Sequence, residues 1–292
     1  MAGASGRRPI VVGVDPDRTK WLALVWAADE ARRRHLPLRL VHAQALPPVT
    51  GGYRSEAVRR YRDEWSRALR GVSDQLLRQA AAFVESRQPS VEVSTVLAEE
   101  EPSWVLLQEA RNASLVVVGS WHLSRRREMF TPASVALPLS ARAPCPVVVV
   151  REPEHVSQEP AYLVVGVDGS AHSAAAVDMA FEEAALRGAQ LRALYAWHPP
   201  FFGAPDEHAT MRECRRVLSE TVAGREAKYP DVELHHEVVR GHPVQVLTDA
   251  SEHSLGLVVG SRGRGGFTGM VLGSVNQGVL HHARCPVISV PV

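Results

Sequence analysis

The residues best placed to do chemistry are glycines. From Gly260 the chain reads Gly260-Ser-Arg-Gly263-Arg-Gly-Gly-Phe-Thr-Gly-Met-Val-Leu-Gly273-Ser274, directly after the apolar run Leu255–Val259. Glycine lets a backbone come within hydrogen-bond range of a bulky anion and supplies positive φ. A helix opening at Ser274 would add free N–H groups and the positive end of its dipole, which together favour phosphate. The plainer alternative is a surface loop in which glycine only relaxes the chain. Neither common phosphate fingerprint is present. G-x-x-x-x-G-K-[ST] is missing, and Gly263, Gly265 and Gly269 miss the G-x-G-x-x-G spacing by one residue. A second equipped position is Val167-Asp168-Gly-Ser170, an acidic residue on a small-residue turn.

Other reactive residue types carry less. His235-His236 fall on a strand and point to opposite faces, and His281-His282 lie near a helix end, where imidazole suits the dipole. Neither pair has an acidic or cysteine partner at ligand spacing, so no metal is expected. Cys145 and Cys285 precede Pro146 and Pro286 with nothing nearby to activate a thiolate, and read as packing residues. Trp21, Trp26, Trp65, Trp104, Trp121 and Trp197 read as core or loop anchors, because no basic stripe accompanies them. The run Arg125–Arg127 reads as a solvated loop, with phosphate attraction as the sharper alternative.

These residues sit on a repeat. Ile10–Ala43 overlays Leu163–Ala196 at a constant offset of 153 without a gap, and thirteen of 34 positions are identical, among them Asp15, Glu30 and Arg34. The offset becomes 141 at Leu115–Ser120 against Gly256–Ser261, and 140 at Ala143–Val147 against Ala283–Val287. A duplication with small insertions accounts for this. In each copy, short β-branched runs alternate with helical stretches. Strands are expected at Pro9–Val14, Leu38–Ala43, Val91–Leu97, up to Gly119, and at Val147–Val150. In the second copy they are expected at Tyr162–Val167, Gln190–Ala196, Val232–Val239, up to Gly260, and at Val287–Val290. Helices are expected at Trp21–Arg34, Glu56–Ser86, Ala174–Arg187 and Asp206–Lys228, with Ser170 or Ser173 as a cap and short helices opening at Pro102 and Pro243. Such alternation implies parallel, doubly wound sheets with ligands beyond the carboxyl ends of the strands. Arg151–Ala161 lacks periodicity, which gives domains over residues 1–152 and 162–292 and a linker over 153–161.

Composition bounds the rest. A chain of 292 residues, 45% hydrophobic and 22% charged, is ample for two soluble α/β domains, and a net charge of +1 offers no case for nucleic acid or an acidic membrane. Three cysteines without a CxxC pair fit a reduced cytoplasm, and no apolar run approaches membrane length.

Gly260-x2-Gly263-x9-Gly273-Ser274 matches the ATP motif of the universal stress protein family. The chain resembles that family's tandem two-domain type, with Val-Val-Gly-Val-Asp opening each half and Cys-Pro-Val closing it. The resemblance implies two Rossmann-like domains, each with a five-stranded, mostly parallel sheet, paired as a pseudo-dimer, with a homodimer also possible. It implies ATP as the ligand, with Asp168 facing the adenosine, the Ala196 backbone at the adenine and Gly166 among the nucleotide-binding residues. Gly260, Gly263, Gly273, Ser274 and the Val275 backbone would hold ribose and phosphates. Gly241-His-Pro243 matches the family's turn ahead of its third helix. The first copy keeps Asp15, Ala43, Gly119 and Ser134. His122 replaces the second glycine and Ala133 stands where Gly273 would be, with one extra residue between and Pro132 adjacent. A β-carbon at the phosphate-approach point opposes binding there. The expected function is a non-catalytic or very weakly hydrolytic stress regulator. The rivals are an adenine nucleotide α-hydrolase-type enzyme, which needs a catalytic base, and a nucleotide-independent interaction module.

Overall fold

A computed structural model describes residues 7–17, 21–44, 56–120, 135–155, 159–198, 206–264 and 271–292. The chain falls into two compact units, residues 1–119 and 120–292.

The first unit runs β1 (Ile10–Gly13), α1 (Leu22–Arg34), β2 (Leu38–Ala43), α2 (Glu56–Arg87), β3 (Val93–Ala98), α3 (Pro102–Ala110) and β4 (Leu115–Gly119). Its strands lie in the order β3-β2-β1-β4 with every pairing parallel. Ile10–Val12 and Leu115–Val118 are buried without a polar break. Strands covered on both faces require that pattern. Leu76, Leu77, Ala80 and Val84 put the apolar stripe of α2 against the sheet. Pro102 opens α3, and the Glu101 carboxylate caps it by accepting from the Ser103 and Trp104 amides.

The second unit begins with α4 (Ala136–Arg142) and β5 (Val147–Val150), the last elements of the first repeat. It continues with β6 (Tyr162–Gly166), α5 (Ala171–Arg187), β7 (Gln190–Trp197), α6 (Glu207–Val222) and β8 (Leu234–Arg240). α7 (Pro243–Ala250), β9 (Gly256–Gly260), α8 (Ser274–His282) and β10 (Val287–Val290) complete it. The strand order is β5-β10-β9-β6-β7-β8, parallel except where β10 meets β5 antiparallel, Ser289 opposite Val147. The closing strands of the two repeats thus pair with each other.

Several boundaries differ from the sequence expectation. α5 starts three residues early because the Ser170 hydroxyl caps it, accepting from the Ser173 amide at 3.1 Å. α6 stops at Val222, short of Lys228, since Ala223 leaves the helical region and Gly224 turns at φ 79°. β3 and β8 begin two residues later than expected and run one residue further. Trp21, Trp26 and Trp197 are buried as expected of anchors, but Trp104 on α3 is 51% exposed. The side chain of Trp65 and all of Trp121 lie outside the described residues. The stretch read as a linker is fastened to the second unit: Arg151 donates to the His281 carbonyl, Glu154 pairs with Arg187 at 3.0 Å, and the His155 ring meets the Arg284 carbonyl at 3.1 Å.

Two of the repeat's identities acquire a physical reason. Glu30 pairs with Arg34 in α1, and their counterparts Glu183 and Arg187 pair in α5, with both glutamates fully buried. A buried carboxylate needs a cation within reach, so the two positions are retained together.

Candidate functional site

β6 is flanked by β7 on one side and β9 on the other. The chain order reverses at this point, and in doubly wound sheets ligands sit beyond the carboxyl ends of the strands where that happens. Asp168 stands two residues past β6. Its Oδ1 accepts from the Ser170 amide at 2.9 Å and its Oδ2 from the Arg264 amide at 2.8 Å, so one carboxylate ties the two strand ends together. Burial works to raise the pKa of Asp168, but the hydrogen bonds from Ser170, Arg264 and Ser173 outweigh it and hold the carboxyl below the usual range. The side chain is ionised at neutral pH.

This arrangement explains the glycines. A β-carbon on Gly263 would land on Asp168 Oδ2, and one on Gly169, at φ 77°, would strike Val217 of α6. At Gly260 it would stand 2.8 Å from the backbone carbon of His172 in the first turn of α5. At Gly273 it would meet Arg262 Cα at 3.2 Å, a tight contact that a small shift relieves. Gly166 belongs to the α7 side of the sheet, where its β-carbon would come within 2.9 Å of Leu247 Cδ1. Gly273 donates to the Ser261 carbonyl at 2.9 Å, so α8 starts beside the end of β9, with Ser274 exposed and Val275 partly buried. α3, α5 and α6 have side-chain caps from Glu101, Ser170 and Asp206, but Gly273 brings none to α8. Uncapped amides and the helix dipole make that end attractive to an anion. Ala196 extends the β6–β7 register in which Gly166 faces Leu194, and so stands level with Asp168.

The structure thus gathers Asp168, Gly260, Gly263, Gly273 and Ser274 at the carboxyl ends of β6 and β9 and the start of α8, with Ala196 on the β7 side. Sequence reasoning missed three neighbours. Cys214 and the Arg264 guanidinium lie close enough to the Tyr195 phenol to act on its ionisation, and Arg264 acts likewise on the Glu213 carboxylate. Burial pushes both the Tyr195 hydroxyl and the Cys214 thiol up. Arg264 was visible inside the glycine run, but nothing local says that its side chain reaches α6. Cys145 and Cys285 are buried, as their packing role requires, and burial raises the Cys285 thiol too.

In the first repeat, Asp15 Oδ1 accepts from the Asp17 amide at 2.8 Å, reproducing the turn at Asp168. Trp21 Nε1 donates to the Asp15 carbonyl at 3.0 Å. A β-carbon on Gly119, the counterpart of Gly260, would meet nothing within 4 Å among the described residues. His122, Arg125–Arg127, Pro132, Ala133 and Ser134 lie outside the described residues, as do Gly265 and Gly269.

Elsewhere a groove of about 380 Å³ between β8 and α7 is lined by Leu194, Glu237, Val239, His242, Val246 and Asp249 and contains none of the expected site residues. His235 pairs with Glu233 at 3.0 Å. Among the described residues, no group of three His, Cys, Asp or Glu side chains is placed to hold a metal, and no helix is long and apolar enough to cross a membrane.

The fold is that of a tandem, doubly wound α/β protein in which a carboxylate meets a glycine run at the switch point of the second repeat. Comparison with known proteins supplies the family. The sequence pattern of the universal stress protein family matches residues 6–151 and again 162–291, and the chain belongs to that family. It is 35% identical over 303 residues to a universal stress protein of Mycobacterium tuberculosis, covering 99% of this chain and 98% of the relative. It is 32% identical over 292 residues to one from Mycolicibacterium smegmatis, covering 96% of each. The crystal structure of a universal stress protein from Archaeoglobus fulgidus overlays with a TM-score of 0.69 across 98% of this chain and 97% of that one, at 18% identity, and agrees in fold.

Proposed function

We propose that this chain is a nucleotide-dependent stress regulator of the cytoplasm that holds one ATP in its second half and does not turn it over at enzymatic rates. The observation that carries the reading is the junction of Asp168 with the glycine run, beside an uncapped helix start. The ionised Asp168 carboxylate is the acceptor offered to a ribose or base group, held in place by the Ser170 and Arg264 amides. The Ala196 backbone stands level with it for the adenine. Gly260, Gly263 and Gly273 leave backbone bare for ribose and phosphates, and the Ser274 and Val275 amides lie in the first turn of α8. Gly166 supports the floor through α7. The glycine run carries no phosphate-loop lysine, and Asp168 is tied by two amides rather than poised over a water.

The proposed domains are residues 1–152 and 162–292 with 153–161 between them, held together within the chain. The pairing of β5 with β10 supports this, and a homodimer remains compatible with it. The net charge of +1 speaks against nucleic acid or an acidic membrane as partner. The test is mass spectrometry of the small molecules released on denaturing the purified protein, with calorimetry on the stripped protein. One adenine nucleotide per chain is expected. An empty protein that binds none would leave the interaction-module reading, and rapid phosphate release lost on mutating Gly263 would favour the enzyme.

A further inference from the structure

Asn276 lies in the first turn of α8 and is 2% exposed. Its Nδ2 donates to the Gly260 carbonyl at 3.0 Å and to Ser289 Oγ at 2.6 Å, with Ser289 itself 1% exposed in β10. One buried amide therefore joins the last carbonyl of β9, the first turn of α8 and the middle of β10. Asn276 Oδ1 is buried with no hydrogen-bond partner among the described residues. A half-satisfied polar group in a core is costly, so packing alone does not explain it.

The molecule contains its own control. At the offset of 140 the counterparts of Asn276 and Ser289 are Ala136 and Val149, both buried. The same fold thus accepts an apolar pair at these two positions. It does so in the repeat whose glycine run is rewritten and keeps the polar pair in the repeat whose run is intact. We infer that Asn276, braced by Ser289, is a positioning residue that sets the start of α8 against Gly260 so that the Ser274 and Val275 amides face the phosphates. This rests on the proposed nucleotide site and names what holds its phosphate half in place. The Gly273 amide on the Ser261 carbonyl and the Ser261 amide on the Val290 carbonyl, at 2.9 and 2.8 Å, fix the neighbouring segments, which leaves Asn276 to set the rotation and depth of the helix start.

The test is calorimetric titration of the full chain, stripped of ligand, with ATP and with adenosine, for wild type, Asn276→Ala and the double variant Asn276→Ala/Ser289→Val. Because the double variant copies a pair the fold already carries, its melting temperature should equal or exceed that of wild type. ATP affinity should fall about tenfold in both variants while adenosine affinity stays within about twofold, the signature of misplaced phosphate donors. A double variant that binds ATP as wild type does would overturn the inference. Equal loss of ATP and adenosine would overturn it as well, by making the pair a general prop. Wild-type protein that binds neither compound would instead remove the proposed function, and the inference with it.

Discussion

Gly119 and Gly260 end equivalent strands of the two repeats, yet among the described residues only Gly260 is held to glycine by what surrounds it. Gly260 presses against the backbone of α5 at His172, whereas the described surroundings of Gly119 leave room for a side chain. The same contrast runs through the aspartates. Asp15 and Asp168 share a local turn, but Asp168 also receives an amide from the glycine run of the neighbouring strand. Identity between repeats therefore has two sources. Some positions, such as Glu30 and Glu183, are the same because both cores need them, and others, such as Asp15 and Asp168, because both repeats make the same local turn.

The largest expected effect tests the shared core. Arg187→Met removes the guanidinium that pairs with the fully buried Glu183 and with Glu154, so unfolding in urea should show a loss of about 3–5 kcal/mol. Arg34→Met should cost visibly less, because Arg33 stands 3.5 Å from Glu30 and can take over. Equal losses would show that the two ion pairs are not distinguished by their neighbours. Next comes the glycine pair. Gly260→Ala overpacks backbone against backbone and should lose about 1–3 kcal/mol, whereas Gly119→Ala should stay within about 0.5 kcal/mol of wild type. A Gly119 variant as damaged as the Gly260 variant would erase the contrast.

The smallest effect is one of pH. Asp168 titrates below its unfolded value, so its contribution to stability is complete above the unfolded pKa of about 4 and is lost as pH falls through the lower folded value. Asp168→Asn should therefore remove part of the acid-side slope of a stability–pH curve and leave the neutral-to-alkaline limb unchanged in shape. A variant whose acid limb matches wild type would mean that the two amide bonds do not hold the carboxylate in solution.

Much of this was legible in the sequence because it is periodic or local. The buried strands announced themselves as unbroken Val and Leu runs, and the repeat offset placed Asp168, Gly260, Gly263 and Gly273 on strand ends and at a helix start. α6 was misjudged because its end is a backbone event at Ala223 and Gly224, and the charged residues beyond it suit a helix equally well. The Tyr195–Cys214–Arg264 cluster and the Asn276–Ser289 brace join residues on different elements with no shared pattern, so only the fold reveals them. Trp104 shows the reverse error, a large apolar residue assigned to packing that the structure leaves half in solvent.

The central claim is that the second repeat alone carries the site, organised by the carboxylate of Asp168 against Gly263. Calorimetric titration of ATP into stripped full-length protein, its Gly263→Ala variant and its Asp15→Ala variant tests it most directly. The account predicts one site per chain in wild type and in Asp15→Ala, and affinity weakened on the order of a hundredfold in Gly263→Ala, where a methyl displaces the carboxylate. Two equivalent sites in wild type, or wild-type affinity in Gly263→Ala, would contradict it.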